Sequence, residues 1–319
     1  MSPRNRGPAR ADGEVSRWAT VAPIIPDWRG PTFDLTGPID IGWGVQLITL
    51  PGWLKQERIT SYMSWVEREQ YVGAAKFAFF IEYDADSLGE PDPLSDIGFV
   101  SKQHLAAEKI SRANLALWLA RPSWAGFPIV ISVREEQGDW VHRETHRRDT
   151  LRPIERDAAH MLSMADFSLA KKLCDAASTV SLKASTWVAM TLAWRALTEL
   201  SWETRYLLLW IALEALFGSG NTSETTYRLS QRLGFFVAKD RAEARSLYER
   251  AKAGYAARSR VVHGFRHFSL GKEKGDNLLA EAEFFLRAAL SKILTDAEHI
   301  QAFSNEPQRE KLLDGLVFG

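Results

Sequence analysis

The chain has 319 residues, with 45% hydrophobic and 25% charged side chains, a profile of a soluble globular protein whose length allows about two domains. Forty basic residues balance forty acidic ones, so no global field draws the molecule to nucleic acid or anionic membrane, and any polyanion site has to come from a local patch. The single cysteine, Cys174, excludes an intrachain disulfide and favours a reducing compartment.

Met1 to Arg17 is polar and rich in Arg, Pro and Gly, without the apolar core of a signal peptide, and residues 1–18 are expected to form a disordered tail. Residues 19–154 mix strand and helix patterns and are expected to form an N-terminal mixed α/β unit, making the chain α+β overall. Phe77 to Tyr83 is a β-prone run closed by turn-rich residues 84–93. Gln103 to Ala120 has helical spacing, with Leu105, Ile110, Leu115 and Leu119 among its apolar positions. Phe127 to Val133 and Trp140 to Thr145, joined through Gln137-Gly138-Asp139, predict a hairpin. His142 and His146 can share a strand face with Glu144 between them, but zinc takes three or four ligands and a further one is not evident, so neither metal nor cofactor is expected.

Residues 155–319 lose the strand signals and predict an all-α bundle. Thr186 to Glu199 is one helix. Ser201 can cap a second, ending at Gly218-Ser-Gly220, and a third follows Asn221-Thr-Ser223 through Leu229, Leu233 and Phe236. Asp240-Arg-Ala-Glu243 resembles a capping box opening a fourth that continues to His263, with Gly264 as its stop. Asp276 can cap a fifth, carrying Leu278, Leu279, Phe284, Phe285, Leu286, Leu290 and Ile293. Cys174 lies in a helical segment without a matched base and is read as a small core residue. The most apolar segment, Tyr206 to Phe217, is too short to span a bilayer and contains Glu214, so the chain is expected to be cytoplasmic and free of the membrane.

Tyr255 to Gly264 carries the most chemistry. Arg258 offers a planar guanidinium fork, and His263 an imidazole that exchanges protons near neutral pH. An Arg and a His with four to six residues between them occur by chance about once in such a chain, and Arg260 with His267, six residues between, fits as well. The neighbouring segments raise the signal. Trp210-Ile-Ala-Leu-Glu-Ala-Leu-Phe217, Tyr227-Arg-Leu-Ser-Gln-Arg-Leu-Gly234 and Tyr255-Ala-Ala-Arg-Ser-Arg-Val-Val-His-Gly264 resemble, in order and spacing, the successive signatures of the Apea-like branch of the HEPN superfamily, over about residues 185–300. The resemblance implies a helical bundle that dimerises and, in active members, a metal-independent endoribonuclease, many of them toxins or antiviral defence effectors. It places the family's catalytic arginine on Arg258, the polar residue after it on Ser259 and the histidine on His263.

Such a nuclease uses the RNA 2′-hydroxyl as an internal nucleophile, leaving a cyclic phosphate. His263 suits the general acid/base role, Arg258 the clamp on phosphoryl oxygens, and Ser259 orientation of either group. Arg260, Arg266 and His267 are candidate substrate contacts, and Arg232 and Tyr255 candidate supports. Glu214, costly if unpaired in an apolar helix, can hold Arg258 or bind a sugar, or can form a structural ion pair with Arg232. From Arg228 to Lys274, twelve basic residues stand against four acidic ones, an excess that suits a phosphate groove, with a solvated helix face as the alternative. Residues 258 and 263 lie about 140° apart on an ideal helix, so they converge only if the arginine wraps round, the helix distorts, or a second chain of a homodimer supplies the missing half. Three readings stand: an RNA-cleaving homodimer, a non-catalytic module binding a nucleotide, RNA or protein partner, or a scaffold that only dimerises. The first half is expected to regulate or target the bundle by binding a trigger, a regulatory protein or RNA outside the cut site.

Overall fold

The computed structural model describes residues 17–25, 34–84, 102–122, 125–152, 154, 162–218, 225–264 and 272–318. Within them the chain is mixed α and β, with an antiparallel sheet in the N-terminal half followed by helices. The strands are β1 (Arg17–Ile24), β2 (Ile39–Gly42), β3 (Val45–Thr49), β4 (Phe77–Asp84), β5 (Ile129–Glu136) and β6 (Asp139–Arg147), in spatial order β2-β3-β4-β1-β5-β6. The expected strand at 77–83 and the hairpin through Gln137-Gly138 are present as β4 and β5–β6.

β1 corrects one expectation, because residues 17 and 18 belong to the first strand; the rest of the expected tail lies outside the described residues. The sheet is covered on both faces, so its central strands bury consecutive side chains and lose the alternation that marks a half-buried strand. Ala19 and Val21 enter one core, and Ala22 and Ile24 the other. Pairing with β5 ends at Val21–Ile131, and Pro23, which has no N–H to donate, lies beyond it. The outer face is covered by a 3-10 turn (Gly52–Lys55), short helices α1 (Glu57–Thr60) and α2 (Trp65–Glu67), and a π-helical turn (Arg68–Gly73), which bury Leu54, Ile59 and Val72.

The inner face packs on α3 (Lys102–Ala120) and α4 (Met164–Ser178). The helices that follow are α5 (Ser185–Thr198), α6 (Trp202–Phe217), α7 (Thr225–Val237), α8 (Arg241–Val262), α9 (Lys272–Thr295), α10 (Ala297–Phe303) and α11 (Glu306–Phe318). One apolar core runs from Ala22 and Phe79 through Trp118 to Trp210, Phe285 and Leu313, crossing from the sheet half into the helices. Between the halves, Arg152 N–H donates to the Leu197 carbonyl (2.8 Å) and Ile154 N–H to the Glu283 carboxylate (2.8 Å).

Local chemistry sets the helix ends. The Ser201 hydroxyl accepts from Thr204 N–H, as expected of a cap. Asp240 accepts from Glu243 N–H (2.8 Å), while the Glu243 carboxylate takes Lys239 N–H (2.8 Å), one residue earlier than a capping box would. Asp276 lies inside α9, which starts at Lys272, so its expected cap role is corrected. The bundle has more helices than the five read from the sequence; α10 and α11 fold back so that Arg309 Nη1 donates to the Ala215 carbonyl (2.9 Å) at the C-terminus of α6. Among the described residues no helix is long and apolar enough to cross a membrane.

The β2–β3 turn is unusual. Gly42, Trp43 and Gly44 have φ of +102°, +55° and +77°. Glycine adopts this region freely, but a bulky side chain there costs about 1–3 kcal/mol. A Cβ on Gly42 would lie 2.5 Å from the Cys174 Cβ, so the turn rests directly on α4, where Lys171 Nζ also donates to Asp40 (2.7 Å). Burial pushes the Cys174 thiol up to about 12, leaving it a packing group rather than a nucleophile.

Candidate functional site

Two close approaches seat α8. A Cβ on Gly234 of α7 would lie 2.7 Å from the Tyr248 backbone nitrogen, and one on Gly254 would lie 2.5 Å from Trp210 Cζ2 on α6. The Tyr206 hydroxyl then reaches the Gly254 carbonyl (2.8 Å), and the Tyr255 ring meets the Trp210 indole edge-on at 5.6 Å. Gly254→Ala is therefore expected to destabilise the fold by about 1–3 kcal/mol through overpacking, read as a lower urea midpoint at unchanged slope.

This packing turns Arg258 toward α6. Its Nη2 lies 3.0 Å from Glu214 Oε1 and 3.2 Å from Oε2, and its guanidinium carbon is 5.6 Å from the Tyr255 ring centre. Glu214 and Arg258 are both partly buried, and Arg258 Nε has no hydrogen-bond partner. Burial first, and then its hydrogen bond to Glu214, push the Tyr255 phenol up to about 12. An unfolded phenol titrates near 10, so between these values the folded chain holds the extra proton: stability from neutral Tyr255 is intact below pH 10 and is lost as pH rises toward 12. Phenolate absorbance against pH is expected to show late ionisation of this residue, moving back toward 10 in Glu214→Gln.

His263 caps the C-terminus of α8, with φ −87° and ψ 20°, its N–H reaching the Arg260 and Ser259 carbonyls, and Gly264 follows in the left-handed region at φ +88°. His263, Ser259 and Arg260 are exposed, whereas Arg258 faces α6. A single chain thus points the two motif residues in different directions, as their spacing requires. Arg266 and His267 lie outside the described residues.

Arg232 corrects the alternative pairing. It is buried and clasps α11, with Nη2 2.6 Å from Glu310 and 2.8 Å from Asp314, leaving Glu214 to Arg258. The basic excess is partly spent in the same way, since Arg250 pairs with Glu281 (2.6 Å). Arg228, Arg245 and Lys252 stay exposed. On β6 the two histidines go to different neighbours: His142 stacks on Tyr62 at 3.7 Å, while His146 meets His104 edge-on at 5.8 Å and lies 3.3 Å from Glu144. Among the described residues no group of three or more His, Cys, Asp or Glu is placed to hold a metal ion.

The sequence reading missed an apolar face beside this site. Ile211 of α6 and Val262 of α8 are exposed by 39% and 52%, and Leu207 and Leu208 are half-buried. Ile211 lies one turn before Glu214, and Val262 one turn after Arg258, so these side chains flank the ion pair. The signal was present, because α6 is apolar almost all round and a helix of that kind must cover every face. No protein-family model matches the chain, and neither a curated protein nor a solved structure does.

Proposed function

We propose that the chain is a metal-independent endoribonuclease of HEPN type, acting as a homodimer in a toxin or antiviral defence role. One observation carries the reading: Arg258, held by Glu214 and Tyr255, lies on a surface flanked by exposed Ile211 and Val262, while His263 projects from the end of the same helix. A two-fold contact through the apolar side chains would bring the Arg258 of one chain toward the His263 of the other. The RNA 2′-hydroxyl then attacks phosphorus and the bond to the 5′-oxygen breaks. Histidine takes the first proton and returns one to the leaving oxygen, and arginine holds the phosphoryl oxygens. Glu214 engages the Nη2 corner of the guanidinium and Nε is buried, so Nη1 is left to donate to the phosphate.

Incubating the purified protein with total RNA in excess chelator tests this reading. Cleavage that persists, from a species sedimenting as a dimer, supports it; loss of cutting in chelator overturns it. A non-catalytic binding module is favoured by one observation, that Glu214 already neutralises Arg258. Saturable binding of RNA or a nucleotide, without cleavage of any RNA presented, would select that reading.

A further inference from the structure

Helices α3 and α5 form the walls of a groove of about 660 Å³, floored by α4 and the end of α9. Its lining recurs along α3 from His104 to Leu119, a stretch of about 22 Å at the rise of an α-helix. The groove changes character over that length. On α3 the polar lining lies at His104 and Glu108 and the apolar lining at Leu115 and Leu119; on α5 the order is reversed, with Trp187 and Met190 before Arg195 and Thr198. The two polar ends lie together, because the segment after β6 meets both. Arg148 Nη1 donates to Glu108 (2.8 Å), and Arg152 N–H donates to the Leu197 carbonyl (2.8 Å). This end is open to solvent, with Asp149 and Arg195 exposed, whereas Leu115, Leu119, Leu173, Met190 and Leu294 at the other end are buried. Protein interiors leave few gaps larger than a water, and a leucine-lined hollow is poorly wetted, so the buried end favours an apolar occupant. Trp43, held at φ +55°, lines the same hollow, and a bulky residue kept in the left-handed region is an outlier of the kind that collects at binding sites. An elongated ligand with an apolar tail and a polar head matches this gradient better than a compact polar one.

We propose that this groove binds a long-chain acyl amphiphile, its hydrocarbon tail along the leucine end and its head group at the open end. Free fatty acids and uncharged acyl lipids share that tail. Because α3 packs on the sheet and α5 belongs to the bundle, the occupant bridges both halves of the chain, whether or not the protein cleaves RNA.

Displacing the fluorescent polyene fatty acid cis-parinarate from the full chain with octanoate, decanoate, dodecanoate and dodecanol, each below its micelle concentration, tests it. Dodecanoate is expected to bind saturably below about 0.1 mM and to raise the melting temperature, with affinity rising about fourfold for each CH₂ added to the series. Dodecanoate binding much more tightly than dodecanol assigns a carboxylate head, and equal binding a neutral one. Ala116→Phe puts a ring into the hollow, and Thr191→Trp narrows the groove from an exposed position on α5. Each is expected to weaken dodecanoate at least about tenfold, and Thr191→Trp keeps the experiment decisive if Ala116→Phe fails to fold. No dodecanoate binding at about 0.1 mM, affinity indifferent to chain length, or native affinity in folded Thr191→Trp overturns the proposal.

Discussion

Arg258→Ala and His263→Ala are each expected to lower RNA cleavage by about 10²–10⁴-fold while leaving the melting temperature close to that of the native chain. His263 is exposed at the end of α8, so its truncation removes no packing. Arg258→Ala frees the partly buried Glu214, and a control keeps the experiment decisive: Arg258→Ala/Glu214→Gln removes both charges and is expected to be equally inactive. Mixing the two single variants separates a composite site from an internal one. If each site takes arginine from one chain and histidine from the other, re-equilibrated mixtures regain about a quarter of native activity, because half the dimers carry one intact site. Sites built within one chain regain nothing. Ile211→Asp with Val262→Asp is expected to give a folded, inactive monomer, read by sedimentation. Full cleavage by His263→Ala would remove the catalytic assignment altogether.

The helices were legible because their signals are local. The expected helix at 186–199 differs by one residue at each end from the observed Ser185–Thr198, and Ser201 and Asp240 cap where their side chains can reach the next free N–H groups. The sheet was only half legible. β4 and the β5–β6 hairpin carry aromatic and β-branched runs with a clear turn, whereas β1 is buried on both faces and β2–β3 turns through an indole where asparagine would normally stand. Partner choice was the least legible feature. Arg232 lies much nearer Glu214 in sequence than Arg258 does, yet the close crossing of α6 and α8 at Gly254 gives Glu214 to Arg258. The acids that claim Arg232 come from α11, a helix for which no signal was read. Residue types in the motif were visible, but the apolar face beside it was not, because a continuous apolar helix looks the same whether its last face meets a core or a second chain.

Glu283→Ala is expected to cost about 3–5 kcal/mol of stability, the largest loss from any single truncation considered for this chain. Glu283 is fully buried on α9, where it pairs with Arg205 of α6 and accepts the Ile154 N–H (2.8 Å) from the segment that joins the sheet half to the helices. Arg205 is itself only 5% exposed, so removing the carboxylate leaves a guanidinium uncompensated in the core and strips Ile154 of its acceptor. Glu283→Gln keeps a shape that can accept from Ile154 but loses the charge, and should fall between Glu283→Ala and the native chain. Arg205→Met/Glu283→Leu removes both charges and refills the space, so it should recover much of the loss, since a buried ion pair gains little over well-packed apolar groups. Urea denaturation of the four proteins orders them. The same core cluster contains Phe79 of the sheet and Trp210 of the helices, so far-ultraviolet circular dichroism and tryptophan fluorescence should report one coincident transition. A Glu283→Ala chain as stable as the native one, or a double variant no better than it, would show that Glu283 does not hold the two halves together.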